Sequence, residues 1–163
     1  MEAKQVLVDT NTKDFKTKKL SEIALKTVDI KGVAYYTLGN YRKGLNDEQM
    51  KEYLSLFEKY FLKSFTSRLA DYSDPKIEVL SADIINSKYT MVKSLLLATD
   101  KKPEVKIDWR VYTKNPNKPL IRDLIIEGLS LARTQKEEFS SIIESNNGDI
   151  NALFGKLKEF INS

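Results

Sequence analysis

Residues 105–112 read VKIDWRVY, and this stretch decides the fold class. Val105, Ile107, Trp109 and Val111 alternate with Lys106, Asp108, Arg110 and Tyr112. A period of two sends the two sets to opposite faces of a strand. One face is then apolar and the other polar, the pattern of an antiparallel sheet covered on one side. Working outward, strand-like runs cover 76–84, 87–98, 103–113 and 119–129. Lys114-Asn115-Pro116-Asn117-Lys118-Pro119 reads as the hairpin turn between the last two. In 119–129, Leu124 and Ile126 fall on one face and Asp123, Ile125 and Glu127 on the other.

Helical patterns flank these runs on both sides. Val6, Leu7 and Val8 suggest a short helical segment, and Phe15, Leu20, Ile23 and Ala24 place a helix over 12–27. Asp29 can cap the next helix, which carries Val33, Ala34, Tyr36, Thr37 and Leu38 and stops near Gly39-Asn40. Asn46 with Gln49 forms a capping box for a long helix over 47–71. Its apolar stripe is Met50, Leu54, Phe57, Phe61, Phe65 and Leu69, flanked by Tyr53, Leu56, Tyr60 and Tyr72. Ser73-Asp74-Pro75 ends it, because proline disfavours helix in the residue before it. Two helices close the chain, one over 130–144 with Leu131, Gln135, Phe139, Ile142 and Ile143, the other from Asp149. The fold class is α+β: one domain over 1–163, with helices about 12–72, a sheet about 76–129 of about four antiparallel strands, and helices about 130–161.

Composition removes many functions. The 163 residues include no cysteine and no histidine. Disulfides, thiolate chemistry, Ser-His-Asp and Cys-His constellations and most zinc sites are therefore excluded. None of the six glycines stands in a phosphate-cradling motif. The net charge of +4 comes mostly from lysine, with five arginines, so nucleic acid is not an expected partner. Leu95–Leu97 is too short by far to be part of the roughly 20 apolar residues of a membrane span. The opening MEAKQVLVDT lacks the basic start and apolar stretch of a signal peptide.

Three features could carry function. Asp108, Asp123 and Glu127 could act as paired carboxylates, or simply pair with Arg110, Arg122 and lysines on an exposed face. Stretch 101–122 carries seven basic and two acidic residues and could meet an acidic partner or anionic phosphates. The aromatic stripe of the long helix is either core or the wall of an apolar ligand pocket.

Two longer segments carry a resemblance. GVAYYTLGNYRKGLNDEQMKEYLSLFEKYFLKSFTSRLADYS, residues 32–73, is similar to the MlaC (toluene-tolerance, Ttg-type) family of periplasmic phospholipid carriers. The matching pieces are Tyr36-Thr37-Leu38-Gly39-Asn40-Tyr41-Arg42, then Asp47-Glu48-Gln49, then Phe65-Thr66-Ser67-Arg68-Leu69-Ala70-Asp71-Tyr72. The second segment is VKIDWRVY with IRDLIIEGLSLARTQKEEFSSII, residues 121–143, where Asp123, Glu127, Gly128, Ser130, Leu131, Phe139 and Ile142 carry the match. Thr134-Gln135-Lys136 stands where the family usually has Asn-Tyr-Arg.

The resemblance implies a non-enzymatic shuttle with no cofactor, an NTF2-like, cone-shaped fold, and lipid tails held in an apolar pocket between sheet and helices. It further implies traffic between an outer-membrane lipoprotein complex and an inner-membrane MCE-domain ABC transporter, which maintains outer-membrane lipid asymmetry. The location implied is periplasmic, with the leader absent from this chain. Face assignment gives Leu54, Phe57, Phe61, Phe65, Trp109, Val111, Leu124, Ile126, Phe139 and Ile142 as the lipid-binding residues. The alternatives are an NTF2-like (ketosteroid-isomerase-like) small-molecule enzyme using Asp108, Asp123 or Glu127, and a protein-binding adaptor using 101–122.

Overall fold

Alternation in 105–112 does produce a strand, and the hairpins on either side of it build the sheet. The computed structural model describes residue 3 and residues 13–70 and 75–163. The helical reading of Val6–Val8, the position of Tyr72 and the stop at Ser73-Asp74 lie outside the described residues, as does the Leu69 side chain. The elements in chain order are α1 (Lys13–Thr27), α2 (Ile30–Leu38), a 3₁₀ segment (Gly39–Gly44) and α3 (Asp47–Ala70). Then come β1 (Ile77–Ile84), β2 (Tyr89–Leu96), β3 (Val105–Tyr112), β4 (Leu120–Ile126), β5 (Leu129–Ser130), α4 (Leu131–Ser145) and α5 (Ile150–Ile161). They group into two compact units: one holds residues 13–29, 66–70 and 75–131, the other residues 30–65 and 132–163.

The first unit is the sheet with α1. Its strand order is β1-β2-β3-β4-β5, each strand antiparallel to the next. β2 and β3 pair without a break from Tyr89↔Tyr112 to Leu96↔Val105. The run 119–129 is not one strand. Glu127 and Gly128 have φ of 49° and 82°, which makes a tight turn that ends β4 at Ile126 and starts the short β5. Two successive positive φ values suit a two-residue hairpin loop, where glycine tolerates the conformation. Glu127 therefore sits in the turn and not on a strand face. Its backbone N–H donates to the Lys106 carbonyl at 2.9 Å, and its carboxylate accepts from the Lys106 N–H at 2.7 Å. In α1, Leu20 and Ala24 are fully buried, four residues apart on one face, while Phe15 is exposed.

The helical unit begins where the sequence placed it. Gly39, with φ of 56°, ends the regular turn of α2. The capping box forms in both directions: Gln49 N–H donates to Asn46 Oδ1 at 2.8 Å and Asn46 N–H donates to Gln49 Oε1 at 3.0 Å. Asp149 caps α5 by accepting from the Asn151 N–H at 3.0 Å. At the other end of α5, Lys63 Nζ donates to the carbonyls of Phe160 and Ile161 at 2.8 and 3.2 Å. A cation there satisfies free carbonyls and the negative end of the helix dipole together.

The core of this unit is built on Tyr53, Leu56 and Phe57 of α3, with Phe139 and Ile143 of α4 and Leu153, Phe154 and Leu157 of α5. The flank of α3 thus contributes more to this core than the stripe does, since Leu54 and Phe61 remain half-buried. Tyr53 is drawn in because its hydroxyl has a partner. Thr37 Oγ1 donates to the Ala34 carbonyl at 2.7 Å, so the Tyr53 hydroxyl donates to Thr37 Oγ1 at 2.6 Å. Burial pushes the Tyr53 phenol above its ordinary range.

Two outcomes follow for stability. Asn46→Ala should cost about 1 kcal/mol in a urea titration, because the first turn of α3 loses its side-chain acceptor. Tyr53→Phe should cost about 1 kcal/mol at neutral pH. The unfolded phenol ionises near pH ~10, before the folded one does. Wild-type stability should therefore fall as pH rises above that value, and Tyr53→Phe should lose less over the same rise.

Candidate functional site

The sheet offers two chemically different faces. In register, Val92 lies beside Trp109, and Trp109 beside Leu124. The neighbouring rows are Ser94, Ile107 and Ile126, and Thr90, Val111 and Ile121. Trp109, Val111, Leu124 and Ile126 therefore share one apolar face. Ile107, Val92 and Ile121 extend that face and were not singled out from the sequence as binding residues. For Ile107 the signal is in the sequence, because it alternates with Lys106 and Asp108.

Ile121 needed a feature that alternation hides. Counting back by two from Ile126 and Leu124 would put Arg122 on the apolar face. The β3–β4 register slips by one residue here, pairing Arg110 with Asp123 and Val111 with Ile121. Arg122 is the extra residue of this bulge. Its guanidinium instead lies over the rings of Tyr112 and Tyr89, at 4.0 and 5.7 Å from their centroids. It donates to the Tyr89 hydroxyl at 2.7 Å and to Asp29 Oδ2 at 2.8 Å. A stacked cation that donates to two separate partners is held by its planar geometry as much as by charge.

The polar atoms on the apolar face are satisfied locally. The Trp109 indole N–H donates to Ser94 Oγ at 2.8 Å, and the Ser94 hydroxyl donates to the Ile107 carbonyl at 2.7 Å. Ser94 is fully buried. This pair fixes the orientation of the large ring and leaves no free donor on the face. Val92, Ile107, Trp109, Val111, Ile121, Leu124 and Ile126 are nonetheless only half-buried. Seven large apolar side chains in adjacent rows are unusual as partly exposed surface, and such patches mark binding surfaces.

In the helical unit, Leu54, Phe61, Phe65 and Ile142 are also half-buried, whereas Phe57 and Phe139 are 2% exposed. Phe139 meets Phe57 edge-on at 6.3 Å. Phe57 stacks on Phe61 at 6.3 Å, and Phe61 on Phe65 at 5.9 Å. The aromatic ladder of α3 is thus continuous from the packed core to its half-buried end.

The carboxylates behave differently from a catalytic pair. Asp108 and Asp123 belong to the face opposite Trp109, and Glu127 to the turn. Asp123 accepts a short hydrogen bond from the Ser130 hydroxyl. Asp108 pairs in register with Lys93 and Ile125, and its Oδ1 is buried without a hydrogen-bond partner. Among the described residues, no group of three or more acidic side chains could hold a metal ion, and no helix is long and apolar enough to cross a membrane.

The fold is shared with a solved protein. The phospholipid-binding protein of Ralstonia solanacearum, determined in complex with a phospholipid, superposes with a TM-score of 0.81 over 99% of this chain and 91% of that one, at 20% identity. The family model described as MlaC protein matches residues 2–159. An α+β chain with this antiparallel meander and this match along nearly its whole length belongs to the MlaC family.

Proposed function

We propose that this chain is a phospholipid carrier whose sheet takes the acyl tails on its apolar face. The observation that carries this reading is the row of half-buried apolar side chains around Trp109, in a sheet whose polar atoms there are already paired. Family membership and the phospholipid bound by the Ralstonia solanacearum protein support it. The tail contacts would be Trp109, Val111, Leu124 and Ile126 on the sheet, and Leu54, Phe61, Phe65 and Ile142 on the helices. Phe57 and Phe139 would support Phe61 from within the helical core.

Transfer energetics explain why such a surface is needed. Each acyl CH₂ removed from water is worth roughly 0.8 kcal/mol, so two tails of ~16 carbons are worth on the order of 25 kcal/mol. A free lipid cannot cross an aqueous space at that cost. A half-open apolar face reduces it by giving the tails dispersion contacts and excluding water. The headgroup can stay in solvent, so its recognition need not be specific.

In its cellular setting the chain would act in the periplasm. It would shuttle phospholipid between an outer-membrane lipoprotein complex and an inner-membrane MCE-domain ABC transporter, and so maintain outer-membrane lipid asymmetry. It would catalyse no reaction and use no cofactor, with the lipid as cargo. The enzyme alternative requires a carboxylate beside the bound ligand, and Asp108 and Asp123 lie on the other face of the sheet from Trp109.

Native mass spectrometry of the purified chain, with solvent extraction of the same sample, tests carriage. The expected result is an added mass of one phospholipid that is lost on denaturation. A bare mass, together with no uptake of lipid from vesicles, would sink the carrier reading. Leu124→Asp should lower lipid occupancy by about tenfold or more, because it places a charge among the tails. Unchanged occupancy would move the tails away from the sheet.

A further inference from the structure

One end of the sheet has a chemistry that lipid carriage does not use. The β1–β2 hairpin tip and the β3–β4 hairpin tip lie side by side there. The Thr113 N–H donates to the Lys88 carbonyl at 2.7 Å, and the Thr90 and Thr113 hydroxyls are 2.8 Å apart. Ile84 and Ile85 project at the first tip and are 82% and 50% exposed. Such exposure is costly for two adjacent isoleucines unless something covers them.

Apart from Asp83, which precedes Ile84 and lies near Lys93, the charge along these two tips is positive. Residues 84–92 and 109–122 contain no aspartate or glutamate, but they contain Lys88, Arg110, Lys114, Lys118 and Arg122. Lys88, Arg110, Lys114 and Lys118 are exposed. The neighbouring acids already have partners: Asp29 lies 2.8 Å from Arg122, Asp83 lies 3.8 Å from Lys93, and Asp123, across the sheet from Arg110, accepts from the Ser130 hydroxyl. Directly behind the tips, Tyr89 and Tyr112 meet edge-on at 5.5 Å, and the Arg110 guanidinium lies over Tyr89 at 4.4 Å.

We propose that these paired hairpin tips seat on an anionic bilayer surface, with Ile84 and Ile85 entering the headgroup boundary and the lysines meeting lipid phosphates. The combination is what an interfacial site requires. Aliphatic side chains enter the acyl boundary, amphipathic tyrosines suit headgroup depth, and long lysines reach phosphates from above. A protein partner would need a surface shaped to receive two protruding isoleucines, whereas a bilayer deforms around them. The register also gives the tips a relation to the cargo. Ile84 pairs with Thr90, in the row that holds Val111 and Ile121, so the projecting isoleucine borders the face proposed to take tails. Docking is nevertheless separable from carriage, since each has its own readout.

The test uses the full chain and vesicles of phosphatidylcholine, with and without about one-fifth phosphatidylglycerol. Each Lys or Arg near an anionic surface is worth about 1 kcal/mol, or about fivefold in affinity. The wild type should sediment with the anionic vesicles and not with the neutral ones, and added salt should weaken it. Replacing Lys88, Lys114 and Lys118 with Gln should lower affinity by about a hundredfold and leave co-purified lipid unchanged. Ile84→Ser with Ile85→Ser should lower vesicle affinity by about tenfold.

Because the chain has no cysteine, Ser87→Cys can carry the sole environment-sensitive dye. Its emission should shift to the blue on anionic vesicles, while a dye at Ser141→Cys should not respond. The proposal is overturned if the wild type ignores anionic vesicles, if binding survives both sets of substitutions, or if the tip dye stays in water while the protein sediments. A chain that carries lipid but fails these assays would refute docking alone. One that docks but never holds lipid would refute carriage alone.

Discussion

An indole N–H on an apolar sheet face must find an acceptor, or the face loses the free energy that burial provides. Ser94 supplies that acceptor to Trp109 and donates its own hydrogen bond to the Ile107 carbonyl. An unpaired donor there would cost about 1–3 kcal/mol and would draw water into the row. With the pair closed, the face can be apolar across three strands. The Arg122 bulge completes the arrangement by keeping a guanidinium off this face and bringing Ile121 onto it. Both devices act on one face of the sheet, which presents hydrocarbon with the Trp109 indole and the Ser94 hydroxyl paired.

The helical unit has the opposite character. Its core is closed, with Tyr53, Leu153 and Ile143 fully buried and the aromatic rings in edge or stacked contact. Side-chain caps fix both α3 and α5, and Lys63 secures the end of α5. In the proposed reading, a closely packed helical core supplies stability and the half-buried apolar sheet face takes cargo. A carrier needs both properties, since a surface that can take up cargo cannot also be packed to native density.

Local signals were legible in the sequence because they depend on local chemistry. The Asn46–Gln49 box, the start of the last helix at Asp149 and the 105–112 alternation each follow from residues within a turn or a strand, and each stands where the sequence puts it. The run 119–129 looks continuous in sequence because hydrophobic pattern does not register a two-residue turn. Glu127-Gly128 carried the missing information in its φ values. The burial of Tyr53 over Leu54 was hidden for a different reason. It depends on a hydroxyl pair with Thr37, sixteen residues away, which periodicity within one helix cannot see. The β3–β4 bulge was hidden in the same way, although an arginine in step with Leu124 and Ile126 was a visible irregularity.

Trp109 is the single tryptophan of the chain and stands in the middle of the proposed tail-binding face. Its emission therefore reports on that face alone. Whether acyl tails lie on this face is read directly by quenching of this emission with phospholipids brominated along their acyl chains, with lipids of the same headgroup but unbrominated tails as control. Tails on the Trp109 face should give saturable quenching by the brominated lipid at one lipid per chain and none by the control. Emission that ignores brominated tails while lipid is demonstrably bound would place the tails elsewhere and contradict the account.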